Sequence, residues 1–174
     1  MPVTQVAAMF TRGFVHEAAN LGELVQQAYR GLVKTFCALA ALDDAEAIAE
    51  GCSFCVDDIE CALIYLDHLS PDIIHCYIDF GVPPEARCAE VYRHLLTANY
   101  LQLASGSAAF SISPETGHVV LISTLRLADA SPETLADLLS YHAQQALEWR
   151  HGFYLDQAVA DMPDACDSSA IRFA

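Results

Sequence analysis

VPPEARCAEVYRHLLTANYLQL, residues 82–103, is the stretch from which the fold is read. Pro83 and Pro84 suit the first turn of a helix, where a missing N–H costs nothing, and Glu85 complements the positive end of the helix dipole. At about 100° per residue, Cys88, Ala89, Val91, Tyr92, Leu95, Leu96, Ala98, Tyr100 and Leu103 spread over roughly 200° of the circumference, about twice what a helix on one core needs. The remaining sector, Arg87, Glu90, Arg93, His94 and Thr97, is polar, so the stretch is no membrane span. The surplus apolar flank calls for a second partner. We read that partner as the same helix from another copy of the chain, the alternative being a helix sandwiched within its own domain.

This helix sits in a chain of 174 residues, long enough for one domain with a real core. With 54% hydrophobic and 18% charged residues, the chain as a whole is not disordered. Eight basic against 23 acidic residues give a formal charge of -15, which repels phosphate backbones and anionic headgroups and makes nucleic acid an unsuitable partner. Seven cysteines are an odd count without the spacing of a disulfide framework. Arg12, His16 and Glu17 break up the one candidate for a leader sequence, and no charge-free apolar run of about 18 residues follows. A soluble cytoplasmic protein with reduced thiols and no membrane insertion is the expectation.

Residues 1–19 show no clear period and are read as an N-terminal arm. Asn20 then precedes Glu23 as in a capping box, and Leu21, Leu24, Val25, Ala28, Tyr29, Leu32, Phe36 and Leu39 recur at helical spacing, predicting a first helix over 21–41. Asp43, Asp44, Glu46 and Glu50 lie in either a solvated loop or a short acidic helical turn, a solvated face being the favoured reading. From Gly51 the period turns to alternation, predicting strands over 52–56, 61–69 and 73–80, with turns at Asp57-Asp58 and Ser70-Pro71-Asp72. After the central helix, 109–113 and 118–127 form a hairpin across Pro114-Glu115-Thr116-Gly117. Ser131 caps a last helix with Pro132 at its first position; Leu135, Leu138, Leu139, His142, Ala146 and Trp149 form its buried stripe, and His151-Gly152 its end. Residues 153–174 read as a C-terminal tail too poor in periodic apolar residues to pack. The fold class is α+β, in the order α-β-β-β-α-β-β-α with one antiparallel sheet, and the domain spans 20–152.

That order, with its broad central helix, resembles the class I type III secretion chaperones, the CesT-type effector chaperones of Gram-negative bacteria. The carriers are Leu95-Leu96-Thr97-Ala98-Asn99, Gly117-His118-Val119-Val120-Leu121 and the helix from Leu135 to Trp149-Arg150, with weaker support from the strand, Asp-Asp turn and strand of 52–64. The resemblance covers about residues 21–151; the arm, the tail and the number of cysteines depart from it. It implies a cytoplasmic homodimer, paired through the central helix and neighbouring strand surface, that binds the N-terminal region of a secreted effector in extended form, without cofactor or catalysis. On this reading Val91, Tyr92, Leu95, Ala98 and Asn99 lie at the dimer contact. Asn99, amid the apolar arc, is expected to bond nearby backbone, because an unpaired buried amide would cost about 1–3 kcal/mol. The expected partner-binding patch is Phe54, Val56, Leu63, Tyr65, Ile73 and Tyr77, on a sheet with apolar residues on both faces and an edge open to strand addition.

Two other readings stay open at this stage: a chaperone-like adaptor of the same fold unrelated to secretion, and a small Cys/His metal protein or enzyme. Cys52-x-x-Cys55 lies in a predicted strand, where positions three apart face opposite sides, and a zinc site would need two further ligands from Cys61, His68, His75 or Cys76. Neither a second CxxC nor a glycine-rich phosphate loop is present. Ser105-Gly106-Ser107 reads as a turn, and His142 as a satisfied core histidine rather than a base. No metal and no catalytic residue is assigned.

Overall fold

The structure, a computed structural model, describes residues 3–102 and 108–155, the side chains of 3–21 and 102 excepted. Helix α1 (Val3–Ala40) leads to a short α2 (Ala45–Ala49) and three strands, β1 (Phe54–Val56), β2 (Ile59–Tyr65) and β3 (Ile73–Gly81). A 3-10 turn (Glu85–Arg87) opens the central helix α3 (Cys88–Gln102); β4 (Ala108–Ile112), β5 (Val119–Arg126), a second 3-10 turn (Leu127–Asp129) and α4 (Pro132–Gly152) follow. The five strands form one antiparallel sheet in the order β1-β2-β3-β5-β4. The expected α+β order stands, with α2 added.

Alternation along the strands decides which face is covered. In β3, Ile74, Cys76, Ile78 and Phe80 are buried, whereas Ile73, His75, Tyr77 and Asp79 are only half-buried. Tyr29, Val33 and Phe36 of α1 join that core at helical spacing, as do Leu135, Leu139, Ala143, Ala146 and Trp149 of α4. Both helices therefore lie on one face of the sheet. Phe80, Phe110 and Trp149 meet edge to face at one end, with ring centroids 5.1 and 5.8 Å apart.

Several boundaries differ from the sequence reading. The backbone of α1 is helical from Val3, through what reads as an arm, because 3–20 contains no proline and several alanines; lacking one apolar stripe is not lacking helical propensity. Of the two readings open for the acidic segment after α1, the helical turn rather than the loop is made, with Asp44 as its cap accepting from the Ala47 N–H at 3.2 Å. Pro84 is extended (φ -62, ψ 129) and lies before α3 rather than in its first turn. A residue preceding proline avoids the helical region, so Pro83 could not be helical beside Pro84. Leu155 is buried, so packing continues past Gly152. The remainder of the tail, and Ser105-Gly106-Ser107, lie outside the described residues.

Two polar contacts hold the periphery. At the end of β3 the register shifts between Asp79 and Gly81, and Gly81 takes φ +92, which favours glycine. Asp79 accepts from the Gly81 N–H and bonds His118 Nδ1 at 2.7 Å, while Arg150 of α4 donates to the carbonyls of Phe80 and Asp79, both at 3.0 Å. At the opposite edge, Asn99 Nδ2 donates to the Phe110 carbonyl at 2.9 Å and the Phe110 N–H donates to Asn99 Oδ1 at 2.7 Å. The expected bond from Asn99 to backbone is thus made twice. His142 is half-buried against Ser123 Oγ (3.2 Å) and Gln145 Oε1 (2.8 Å).

Replacing Asn99 by leucine leaves both Phe110 groups without their partner and is expected to lower unfolding free energy by about 2 kcal/mol in urea titrations; an unchanged midpoint would show that water serves equally well. Burial lowers the His142 pKa from 6.5, against the opposing hydrogen bond to Gln145. The unfolded chain then takes up a proton first as pH falls. This histidine's contribution is complete above about pH 6.5 and is lost progressively below it. His142→Gln is expected to flatten the acid limb of a melting-temperature profile, and an equal slope in variant and parent would refute the assignment.

Candidate functional site

Because Asn99 faces the edge of β4, residues one and two turns before it must face inward as well. Val91 and Leu95 are accordingly buried in the protomer's own core, at 0% and 6% exposure. They cannot also line a contact between copies. Of the five residues expected there, Asn99 is taken up by Phe110, Ala98 is half-buried and only Tyr92 borders the outer face. The outer apolar flank is instead Ala89, Tyr92, Leu96 and Tyr100, spaced 3, 4 and 4 residues apart, which with Arg93 and Thr97 line an open hollow of about 530 Å3. Leu96 is 69% and Tyr100 75% exposed. The sequence signal for this phase was Asn99 itself: an amide aimed at sheet backbone puts Leu95 inside and Leu96 outside.

The six residues of the expected partner patch do not form one surface. Pairing places Phe54 opposite Cys61, Val56 opposite Ile59, Leu63 opposite Cys76 and Tyr65 opposite Ile74, all on the helix-covered face. Phe54 and Leu63 are core residues, and Tyr65 stacks on Tyr29 with centroids 4.6 Å apart. Ile73 and Tyr77 lie on the opposite face, among Ala62, Ile64, Val120 and Ile122. The patch fails as drawn because strand alternation separates its members.

What the strands leave open is an edge. Asp57 (φ 50) and Asp58 (φ 64) form the two-residue turn between β1 and β2, so the flanking pair Val56 and Ile59 is hydrogen-bonded, as is every second pair beyond it. Cys61, Leu63 and Tyr65 therefore direct their backbone groups away from β3. β1 ends at Phe54 opposite Cys61, so Leu63 and Tyr65 have no strand partner on that side among the described residues. Beside them is a hollow of about 400 Å3, walled by Gln26, Tyr29 and Arg30 of α1 and by Ala49, Glu50 and Gly51 after α2. Tyr29 Oη reaches the Leu63 carbonyl only at 3.5 Å, and burial pushes its pKa to about 12, so it stays a neutral donor. Arg30 bonds Glu46 at 2.6 Å and lies 3.6 Å from Glu50, tying α1 to α2 along the rim. The other sheet edge is occupied, since α3 packs along β4 and Asn99 takes the outward groups of Phe110.

The cysteines offer little reactive chemistry. Burial pushes the Cys61 and Cys76 thiols up to about 12, which keeps them protonated, whereas Cys52 and Cys55 are exposed. Among the described residues, no three His, Cys, Asp or Glu side chains come together closely enough to hold a metal ion.

Known structures share this architecture. A chain of the ExsC–ExsE complex is 19% identical with a TM-score of 0.57, the match covering 71% of this chain and 92% of that one. A chain in the complex of the Yersinia pestis type III secretion chaperone SycH with a stable fragment of YscM2 is 17% identical (TM-score 0.52; 69% and 98% covered). A chain of the HopA1–SchA chaperone–effector complex is 13% identical (TM-score 0.53; 75% and 95% covered). At such identities the likeness is one of fold. No curated protein sequence matches the chain. A family model does match residues 31–150, from within α1 to Arg150 near the end of α4, and by that match the chain belongs to the Tir chaperone protein (CesT) family, a family of chaperones rather than enzymes.

Proposed function

We propose that the protein is a cytoplasmic, homodimeric chaperone of a type III secretion system that holds the N-terminal segment of a secreted effector in extended form and keeps it competent for export. The observation that carries this reading is the edge of β2 at Leu63 and Tyr65, which no other strand pairs among the described residues, beside a hollow walled by α1. An extended segment can add there as a short strand, drawing register from main-chain hydrogen bonds and affinity from its side chains. Family membership and the fold shared with chaperones solved in complexes supply the context. No helix among the described residues is long and apolar enough to cross a membrane. The dimer contact is assigned to the outer flank of α3, Ala89, Tyr92, Leu96 and Tyr100.

Glutamate at both Leu96 and Tyr100 is expected to yield monomer by light scattering with little change in melting temperature, since both side chains are exposed. An intact dimer would reject this helix face. Adding the N-terminal segment of the cognate effector is expected to slow hydrogen exchange at the Leu63 and Tyr65 amides by about tenfold or more. Protection confined to helices would argue against strand addition at β2.

A further inference from the structure

A second hollow, of about 670 Å3, opens beside α1 and is walled largely by apolar side chains. Its walls are Leu24, Val25 and Ala28 of α1, Pro71 of the turn between β2 and β3, and Leu127 and Ala128 before α4. Leu24 is 57% exposed. The rim carries two carboxylates, Asp67 and Asp72, and no basic side chain among the described residues that line it. Asp67 bonds His68 Nδ1 at 2.9 Å, which holds its carboxyl below the usual range and keeps it charged at neutral pH. An apolar floor under two negative charges fits an extended segment with large apolar side chains flanking a base.

The chain carries one such segment after α4. Residues 156–174 contain four aspartates, Asp156, Asp161, Asp164 and Asp167, and a single basic residue, Arg172, between Ile171 and Phe173. In extended chain, Ile171 and Phe173 share one side and Arg172 takes the other. Reach is sufficient. The hollow lies beside the start of α4, whose 21 residues span about 32 Å, and the sixteen residues 156–171 can cover up to about 53 Å. Tethering gives an effective concentration in the millimolar range, enough to fill a site too weak to hold the free peptide.

We propose that Ile171-Arg172-Phe173 docks in this hollow of its own chain, the two apolar side chains on the floor and Arg172 between Asp67 and Asp72. The contact requires neither an effector nor a dimer, so its test is separate from that of the export reading. Because the two hollows share Asp67, the docked segment would be an internal occupant next to the hollow beside the β2 edge. The test uses the full chain with p-benzoylphenylalanine in place of Phe173, irradiated without a partner and mapped by mass spectrometry. Cross-links within one chain to residues 22–28, 71–72 or 127–128 are expected. Replacing Asp67 and Asp72, both exposed, by lysine is expected to cut that yield about fivefold, as reversal of exposed ion pairs would. Cross-links elsewhere, cross-links between copies, no cross-link, or a yield indifferent to the two lysines would overturn the proposal.

Discussion

A single amide sets the orientation of the central helix. By giving both its donor and its acceptor to the backbone of Phe110, Asn99 fixes the rotation of α3 about its own axis against the edge of β4. Rotating the helix by one residue, about 100°, would strand three polar groups at once, the amide and both Phe110 groups, each costing about 1–3 kcal/mol where water is excluded. With the phase so held, Val91 and Leu95 complete the core while Leu96 and Tyr100 stay largely exposed. The apolar surplus of this helix is therefore a consequence of its docking and not a defect of its packing.

The same bond makes the two ends of the sheet unequal. An unprotected strand edge invites pairing with any extended chain. β4 is protected, because α3 lies along it and Asn99 occupies its outward groups, whereas β1 is too short to cover β2 beyond Cys61. The link between α3 and the rest of the fold is secured at its other end by the Asp79 cluster, where Arg150 of α4 and His118 of the hairpin converge on the bulge from which the chain leaves β3. His118 and Arg150 belong to two of the strings that carry the family resemblance. Their meeting place at Asp79 gives those strings a structural reason: they fix the exit of the central helix from the sheet.

The fold was legible in the sequence wherever one physical signal dominated. Alternation in 73–80 specified the covered face of β3, the Asp57-Asp58 pair the hairpin turn between β1 and β2, and Ser131-Pro132 the start of α4, where Ser131 and Thr134 form a reciprocal cap. Residues 3–20 were missed as helix because a missing apolar stripe was taken for a missing helix. The sites were harder for a related reason. Apolar character says that a side chain seeks cover but not which neighbour supplies it, so Leu63 and Phe54, core residues beneath α1 and α4, are indistinguishable by type from residues awaiting a partner. Even so, Asn99 could have fixed the helix phase, since a polar residue inside an apolar arc points to where backbone must be.

The energetics of the β2 edge constrain how an extended guest can be held there. Two residues offer at most a few main-chain hydrogen bonds, each worth about 0.5–1.5 kcal/mol net, while ordering each guest residue costs about 1–2 kcal/mol. Strand addition alone therefore comes out near zero. It can set register and direction, but affinity must come from apolar side chains, at about 25 cal/mol per Å2 removed from water, seated in the hollow beside that edge. Such a surface selects for an unfolded chain, because a folded one has already hidden its apolar side chains and paired its backbone. The charge of -15 favours solubility in a chain that carries such apolar hollows on its surface.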